Sequence, residues 1–185
     1  MALTSLDPKT ALIVVDLQKG IVGLAGIDAV GPVIRNSRLL ADAFRKRGLP
    51  VVLVNVAGGA PGRTEQKRPS QPFPQDWTDL LPELGQQASD IVVTKRTWGA
   101  FASSDLEQQL KNRGVTQVVI TGVATSIGVE STARQAYEAG FNVTLAIDAM
   151  TDLRQEAHEA SIAYIFPRLG ETGTTQEIID LLGDK

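Results

Sequence analysis

Five short apolar runs alternating with segments of helical period restrict this chain to one broad class of architecture. The runs are ALIVVDL (11–17), LPVVLVNV (49–56), IVVTK (91–95), QVVIT (117–121) and NVTLAI (142–147). They are rich in β-branched residues and continuous rather than alternating, which is the pattern of strands covered on both faces. Between and after them, 33–48, 103–114, 128–140, 154–166 and 174–182 read as helices, several closed by a glycine stop. Capping boxes are expected from Ser104 to Glu107 and from Thr174 to Glu177. A short extended piece near 169–172 completes the set. Strand–helix alternation of this kind predicts an α/β fold. The expectation is a three-layer αβα sandwich with a Rossmann-like parallel six-stranded sheet in the order 3-2-1-4-5-6 and right-handed crossovers.

With 185 residues, 43% of them hydrophobic, the chain is expected to be a single domain over 1–185. No repeat or linker is visible. The one irregular stretch, 57–77, is rich in Pro, Gly and charge. A loop of that length reads as a lid, a binding loop or a partner surface.

The net charge of −3 is mild and no basic patch stands out, which argues against a nucleic-acid partner. No apolar run approaches the roughly 18 residues that suggest a membrane span. The N-terminus has no signal-like apolar segment, so a cytoplasmic location is expected. The chain contains no cysteine, which removes disulfides, thiolate metal sites and a thiol nucleophile, and a single histidine rules out a His-rich metal cluster. The expected ligand is a small molecule, with no cofactor and no metal. The chain is expected to form a homodimer or a higher homo-oligomer.

In open parallel sheets, ligands bind beyond the carboxyl ends of the strands. Asp16, Lys95 and the turn 121–128 fall there. A carboxylate closing the run 11–15 is costly to bury unless paired, and Lys95 is a natural partner. The two are expected within ion-pair reach on neighbouring strands; a structural ion pair or a solvated strand end is the alternative. Trp98 and Phe101 either wall a pocket or pack in the core. Phe73 and Trp77 form either a lid or a dimer contact. Arg63, Lys67 and Arg68 either meet an anionic substrate or lie on a solvated loop. Glu130 and Arg134, four apart on a helix, read as a surface pair worth roughly 0.3–0.5 kcal/mol. The ATSIG turn (124–128) has some likeness to a serine elbow, whose triad would need Ser126, Asp148 and His158. His158, among glutamates on a helix, reads instead as solvent-facing.

Three blocks taken together, VVDLQ (14–18), VTKRTWGAF (93–101) and TGVATSIGVESTARQA (121–136), strongly resemble the isochorismatase-like hydrolases from 11 to the last helix. The resemblance places the family's Asp on Asp16, its Lys on Lys95 and its nucleophilic Cys on Gly128. Family members of the cysteine type attack a C–N carbonyl with that thiol. Isochorismatases of siderophore and phenazine pathways resemble this chain in carrying Gly there, and they hydrolyse a vinyl ether, which needs a proton donor. Under this resemblance Asp16 donates the proton if burial raises its pKa, while Lys95 opposes the rise or anchors a substrate carboxylate. Asp16, Lys95 and Gly128 are therefore the expected catalytic positions. Trp98, Phe101, Ala124 and Ile127 are the expected substrate-binding ones. The resemblance further implies a cis peptide at Val123–Ala124, with the backbone N–H groups of Ile127 and Gly128 aimed at the pocket. Two departures stand out. The metal-binding Asp/His cluster of nicotinamidases has no counterpart, and Val56 stands where such isochorismatases carry a substrate-binding Gln.

Overall fold

The computed structural model describes residues 3–24, 30–66 and 72–183. The apolar runs become strands β1 (Thr10–Val15), β2 (Val51–Val56), β3 (Ile91–Lys95), β4 (Gln117–Val123) and β5 (Asn142–Thr151), joined by a short β6 (Glu171–Gly173). They form one sheet in the order β3-β2-β1-β4-β5-β6. Every pairing is parallel. The expected order is the observed one, and the direction in which successive strands are added reverses between β1 and β4.

The continuous apolar pattern has the cause expected of it, because both faces of β1 are covered. Ala11, Ile13 and Val15 pack on one side with residues of α3 (Leu106–Asn112) and α4 (Glu130–Glu138), among them Leu106, Leu110, Ala133 and Ala136. Leu12 and Val14 pack on the other with Leu40, Ala41 and Phe44 of α2 (Val30–Lys46) and Ile178 and Leu182 of α7 (Thr175–Gly183). Three further short helices, α1 (Lys19–Val22), α5 (Gln155–Ala160) and α6 (Phe166–Leu169), lie at strand ends. Among the described residues, no helix is long and apolar enough to cross a membrane.

Local signals were read correctly where their partners are local. Thr174 and Glu177 form the expected capping box, Thr174 N–H donating to Glu177 Oε2 at 2.7 Å and Glu177 N–H to Thr174 Oγ1 at 3.3 Å. The box expected at Ser104 does not form. The Ser104 hydroxyl donates to Ala100 O at 2.6 Å, and Glu107 pairs with Lys111 at 2.6 Å, so the helix expected over 103–114 is only α3. The strand expected to stop at 147 continues to Thr151, because a register shift after Ile120 lets Met150 and Thr151 pair with Gly122 and Val123. The helix expected over 154–166 is instead α5, a π-helical turn (Ser161–Ile165) and the start of α6.

Main chains approach tightly at the β1/β4 end. Gly122 has φ 119, and a Cβ there would lie 2.0 Å from the Val15 carbonyl oxygen. Only glycine lets the two strands meet this tightly. The next bond, Val123–Ala124, is cis, as the resemblance implied. A π-helical turn (Thr125–Val129) then leads into α4.

Candidate active site

Asp16 follows the last residue of β1 with φ 54, and its N–H donates to Val54 O at 2.9 Å. That turn lays the carboxyl group beneath the crevice, where the residue is only 5% exposed. Lys95, the last residue of β3, is 1% exposed, and its Nζ stands 2.8 Å from Asp16 Oδ2. The strands are not neighbours, contrary to the expectation, because β2 lies between them. The lysine's four-carbon stem spans the gap across the end of β2. Nζ also donates to Trp98 O.

The two oxygens of Asp16 are unequal. Oδ2 holds the ammonium, whereas Oδ1 is buried and has no hydrogen-bond partner among the described residues. Burial drives the Asp16 pKa up and Lys95 opposes it; burial wins, and the carboxyl group titrates at about 6. Gly128 faces this group. A Cβ there would lie 3.0 Å from Asp16 Oδ2 and 3.1 Å from Val15 Cγ1. A side chain here would crowd the carboxyl group, so glycine lets the turn close on Asp16 at the floor of the cavity.

Above these residues opens a cavity of about 190 Å³. One wall is Ile127, Ala124 and Leu153; the facing wall is Val56 with the Phe73–Trp77 pair, whose rings stack 4.3 Å apart. Trp98 stands at the rim, 64% exposed. Phe101 does not reach the cavity. It packs in the core against Phe141, ring centroids 5.9 Å apart, because the chain turns inward after Gly99. Nor is the Ile127 N–H free for a ligand, since it donates to Ala124 O at 3.1 Å within the turn. Among the described residues, no group of three or more His, Asp or Glu is placed to hold a metal ion.

The serine-elbow triad is not assembled. Asp148 accepts from Thr175 N at 2.7 Å and Oγ1 at 2.9 Å, at the start of α7. His158 is not solvent-facing but half-buried, and its Nδ1 lies 2.8 Å from Thr125 Oγ1 rather than against Ser126. Ser126 is held through its N–H, which donates to Asp152 Oδ2 at 2.6 Å. Glu130 and Arg134 do pair, at 2.9 Å, but Glu130 is largely covered and also accepts from Ser161 Oγ at 2.7 Å, so the pair is more than a surface contact. Arg63 is exposed. Lys67 and Arg68 lie outside the described residues.

Gln18 was visible in the first sequence block but had been given no role. It is wholly buried, accepts from Val56 N–H at 2.6 Å, and donates to Val56 O at 3.0 Å and Trp77 O at 2.8 Å. The Trp77 indole N–H donates to Val56 O at 3.0 Å as well. The aromatic wall is thus fastened to the ends of β1 and β2. A Cβ on Gly20 would lie 2.3 Å from the Trp77 ring, so this glycine makes room for the wall. A polar residue directly after a buried strand end was the sequence signal that could have revealed the fastening.

Residues 10–177 match the isochorismatase domain. The isochorismatase family protein YwoC of Bacillus subtilis is 44% identical over 93% of this chain and 93% of its own length. YecD of Escherichia coli O157:H7, of the same family, is 41% identical over 94% and 96%. The structure of an isochorismatase family protein from Burkholderia thailandensis superposes with a TM-score of 0.91 at 39% identity, covering 97% of this chain and 98% of that one. A domain match over most of the chain, near full-length relatives and a close superposition over 97% of the chain lead to one conclusion: this chain belongs to the isochorismatase family of hydrolases, with a site that contains no cysteine.

Proposed function

We propose that the cleft hydrolyses a small anionic metabolite by acid catalysis without a covalent intermediate, and that the reaction is an isochorismatase-type vinyl ether cleavage. Gly128 takes the position of the thiol in the cysteine-type members, and Asp16 is the acid. The observation that carries this reading is the Asp16 carboxyl group, which has one oxygen on Lys95, the other without a partner among the described residues, and a pKa lifted to about 6. A buried acid near neutrality, beside an open space, is suited to proton donation.

In this scheme the Asp16 proton passes to the terminal CH₂ carbon of an enolpyruvyl ether, whose C=C π electrons form the new C–H bond. The ether oxygen stabilises the resulting cation as an oxocarbenium ion. Water adds to the ether-bearing carbon of that cation and returns a proton to Asp16. The hemiketal then breaks its C–O bond to give pyruvate and an alcohol, and as its hydroxyl becomes the ketone the hydroxyl proton passes to the departing alcohol oxygen. Lys95 steadies the carboxylate formed when Asp16 gives up its proton, while Ala124, Ile127 and Trp98 bound the substrate. A thiol route is closed because the chain has no cysteine.

The test is a metabolite screen on purified protein in which pyruvate and ammonia are scored separately. Pyruvate release that is indifferent to iodoacetamide supports the reading. Ammonia release with an acyl group trapped on Ser126 would replace it with a serine mechanism. Ligand-dependent thermal shifts without any product would make the protein a binding member of the family.

Gly128 gives a graded prediction. In Gly128→Ala the methyl sits 3.0 Å from Asp16 Oδ2, so the carboxyl group must give by a few tenths of an ångström. Overpacking of this kind costs about 1–3 kcal/mol. Affinity for a ligand found in the screen should fall about tenfold in Gly128→Ala and about a hundredfold in Gly128→Val, measured by calorimetry. Equal affinity in all three proteins would show that the ligand does not approach Gly128.

A further inference from the structure

We propose that His158 is a positioning residue: through Thr125 it sets how the Thr125–Val129 turn stands against the Asp16 carboxyl group. This rests on the reading of Asp16 and Gly128 as the reacting centre. Gly128 in this turn lies against Asp16, where a built Cβ would stand 3.0 Å from Oδ2, and it also lines the cavity. Its placement therefore matters to within tenths of an ångström.

Three polar links to the turn and the start of α4 come from one segment that follows β5, and Thr132 of α4 adds a fourth, its hydroxyl donating to Gly128 O at 2.7 Å. Asp152 Oδ2 accepts the Ser126 N–H at 2.6 Å. His158 Nδ1 meets Thr125 Oγ1 at 2.8 Å. Ser161 Oγ donates to Glu130 Oε2 at 2.7 Å. Between the first two links, Leu153 forms part of the cavity wall. Thr125 itself is fully buried and does not line the cavity, so its hydroxyl is a strut rather than a nucleophile. A buried hydroxyl needs a partner, and the imidazole supplies it from a helix 33 residues away in sequence.

The imidazole suits this task because its surroundings favour the neutral ring. Burial lowers its pKa, while the two charges facing it, Asp152 and Glu159, work in the opposite direction. On the turn it meets only the neutral Thr125 hydroxyl. The neutral ring can accept from that hydroxyl at Nδ1 while carrying its own proton on Nε2.

The experiment uses the whole protein and the pyruvate assay. His158→Ala should lower kcat by about ten- to a hundredfold, the range set by small misplacements of reacting groups, while KM stays within about twofold. His158→Asn, which restores a polar atom near Nδ1, should recover kcat to within about threefold of the wild type. Thr125→Val should repeat the loss, Thr125→Ser should not, and the double variant His158→Ala/Thr125→Val should be no worse than either single change. An unchanged kcat in His158→Ala, a loss that appears only in KM, or a failure of Asn to rescue would overturn the proposal.

A second readout is independent of turnover, so failure of the proposed reaction is distinguishable from failure of the strut. His158 is the only histidine, so its ring nitrogens give an unambiguous NMR signature. Thr125→Val should shift the Nδ1 resonance. His158→Ala should also speed hydrogen exchange at the amides of Ile127, Gly128 and Val129 by at least about tenfold. Unchanged exchange there would overturn the proposal even in a protein with no detectable activity.

Discussion

Replacing Asp16 with Asn is expected to reduce turnover by about 10²- to 10⁴-fold, the usual contribution of a positioned proton donor. The substitution keeps the shape of the group and removes its acidic proton. The wild-type pH profile should carry the same signature. The working form is the protonated one, and the group titrates at about 6, so kcat/KM should fall as pH rises through that value. Steady-state kinetics across pH 4.5–8.5 measure both effects. Wild-type-like rates in Asp16→Asn, or a rate that climbs with pH through 6, would remove Asp16 as the acid.

The same carboxyl group makes a stability prediction with a definite sign. Its folded-state pKa, about 6, lies above its ordinary value of 3.8. The folded protein therefore binds this proton more tightly than the unfolded chain. The stabilisation is fully present below about pH 3.8 and is lost as pH rises through about 6. A shift of that size corresponds to roughly 3 kcal/mol. Across pH 5–7 the wild-type Tm should therefore carry a downward component that Asp16→Asn lacks, even though the variant starts lower for having left the Lys95 ammonium buried without its partner.

Arg45→Leu is expected to cost about 3–5 kcal/mol of folding stability, the cost of breaking a buried ion pair from one side. Arg45 and Asp90 tie α2 to the start of β3, with side chains only 7% and 1% exposed. The pairing is bidentate, Nε to Oδ1 at 3.1 Å and Nη2 to Oδ2 at 2.6 Å. Nη1 adds Asp42 at 3.0 Å. Without the guanidinium, Asp90 keeps only the Gln87 N–H at 2.8 Å. Urea unfolding measures the loss. The double variant Arg45→Leu/Asp90→Leu should regain much of it, because no buried charge is then left alone. The pair lies at the opposite end of the sheet from the cavity, so activity per folded molecule should not change. A loss below about 1 kcal/mol in the single variant would show that solvent reaches Asp90 freely.

Whatever depended on neighbours within a few residues was legible in the sequence. The β-branched runs announced strands covered on both faces, since burial on two sides selects apolar residues at every position. Thr174 and Glu177 announced a helix start because a capping box closes within one turn. Ser104 and Glu107 carry the same motif, yet the Ser104 oxygen accepts from Leu106 N–H instead, at 3.2 Å, and Glu107 turns to Lys111. A local motif is decided only when no better partner stands nearby. The alternation of elements also carried the sheet order, because short right-handed crossovers leave few arrangements.

The site was legible as a list of residues but not as a geometry. Asp16 and Lys95 were picked out by their places at strand ends. That they meet across an intervening strand follows from the length of a lysine stem, which no spacing in sequence records. Phe101 and Trp98 stand three apart in one block, yet one enters the core and the other the rim, because the inward turn after Gly99 is set by packing against α4. His158 looked solvent-facing among its glutamates; its partner is a hydroxyl on another element. The sequence by itself determined which segments form strands and helices, though not where β5, α3 and α5 end, and which polar groups end the buried runs, since those depend on local burial and hydrogen bonding. Only the tertiary structure decided which of those polar groups touch, because contacts between distant segments are fixed by how the sheet and its helices pack, and that packing is a property of the whole chain.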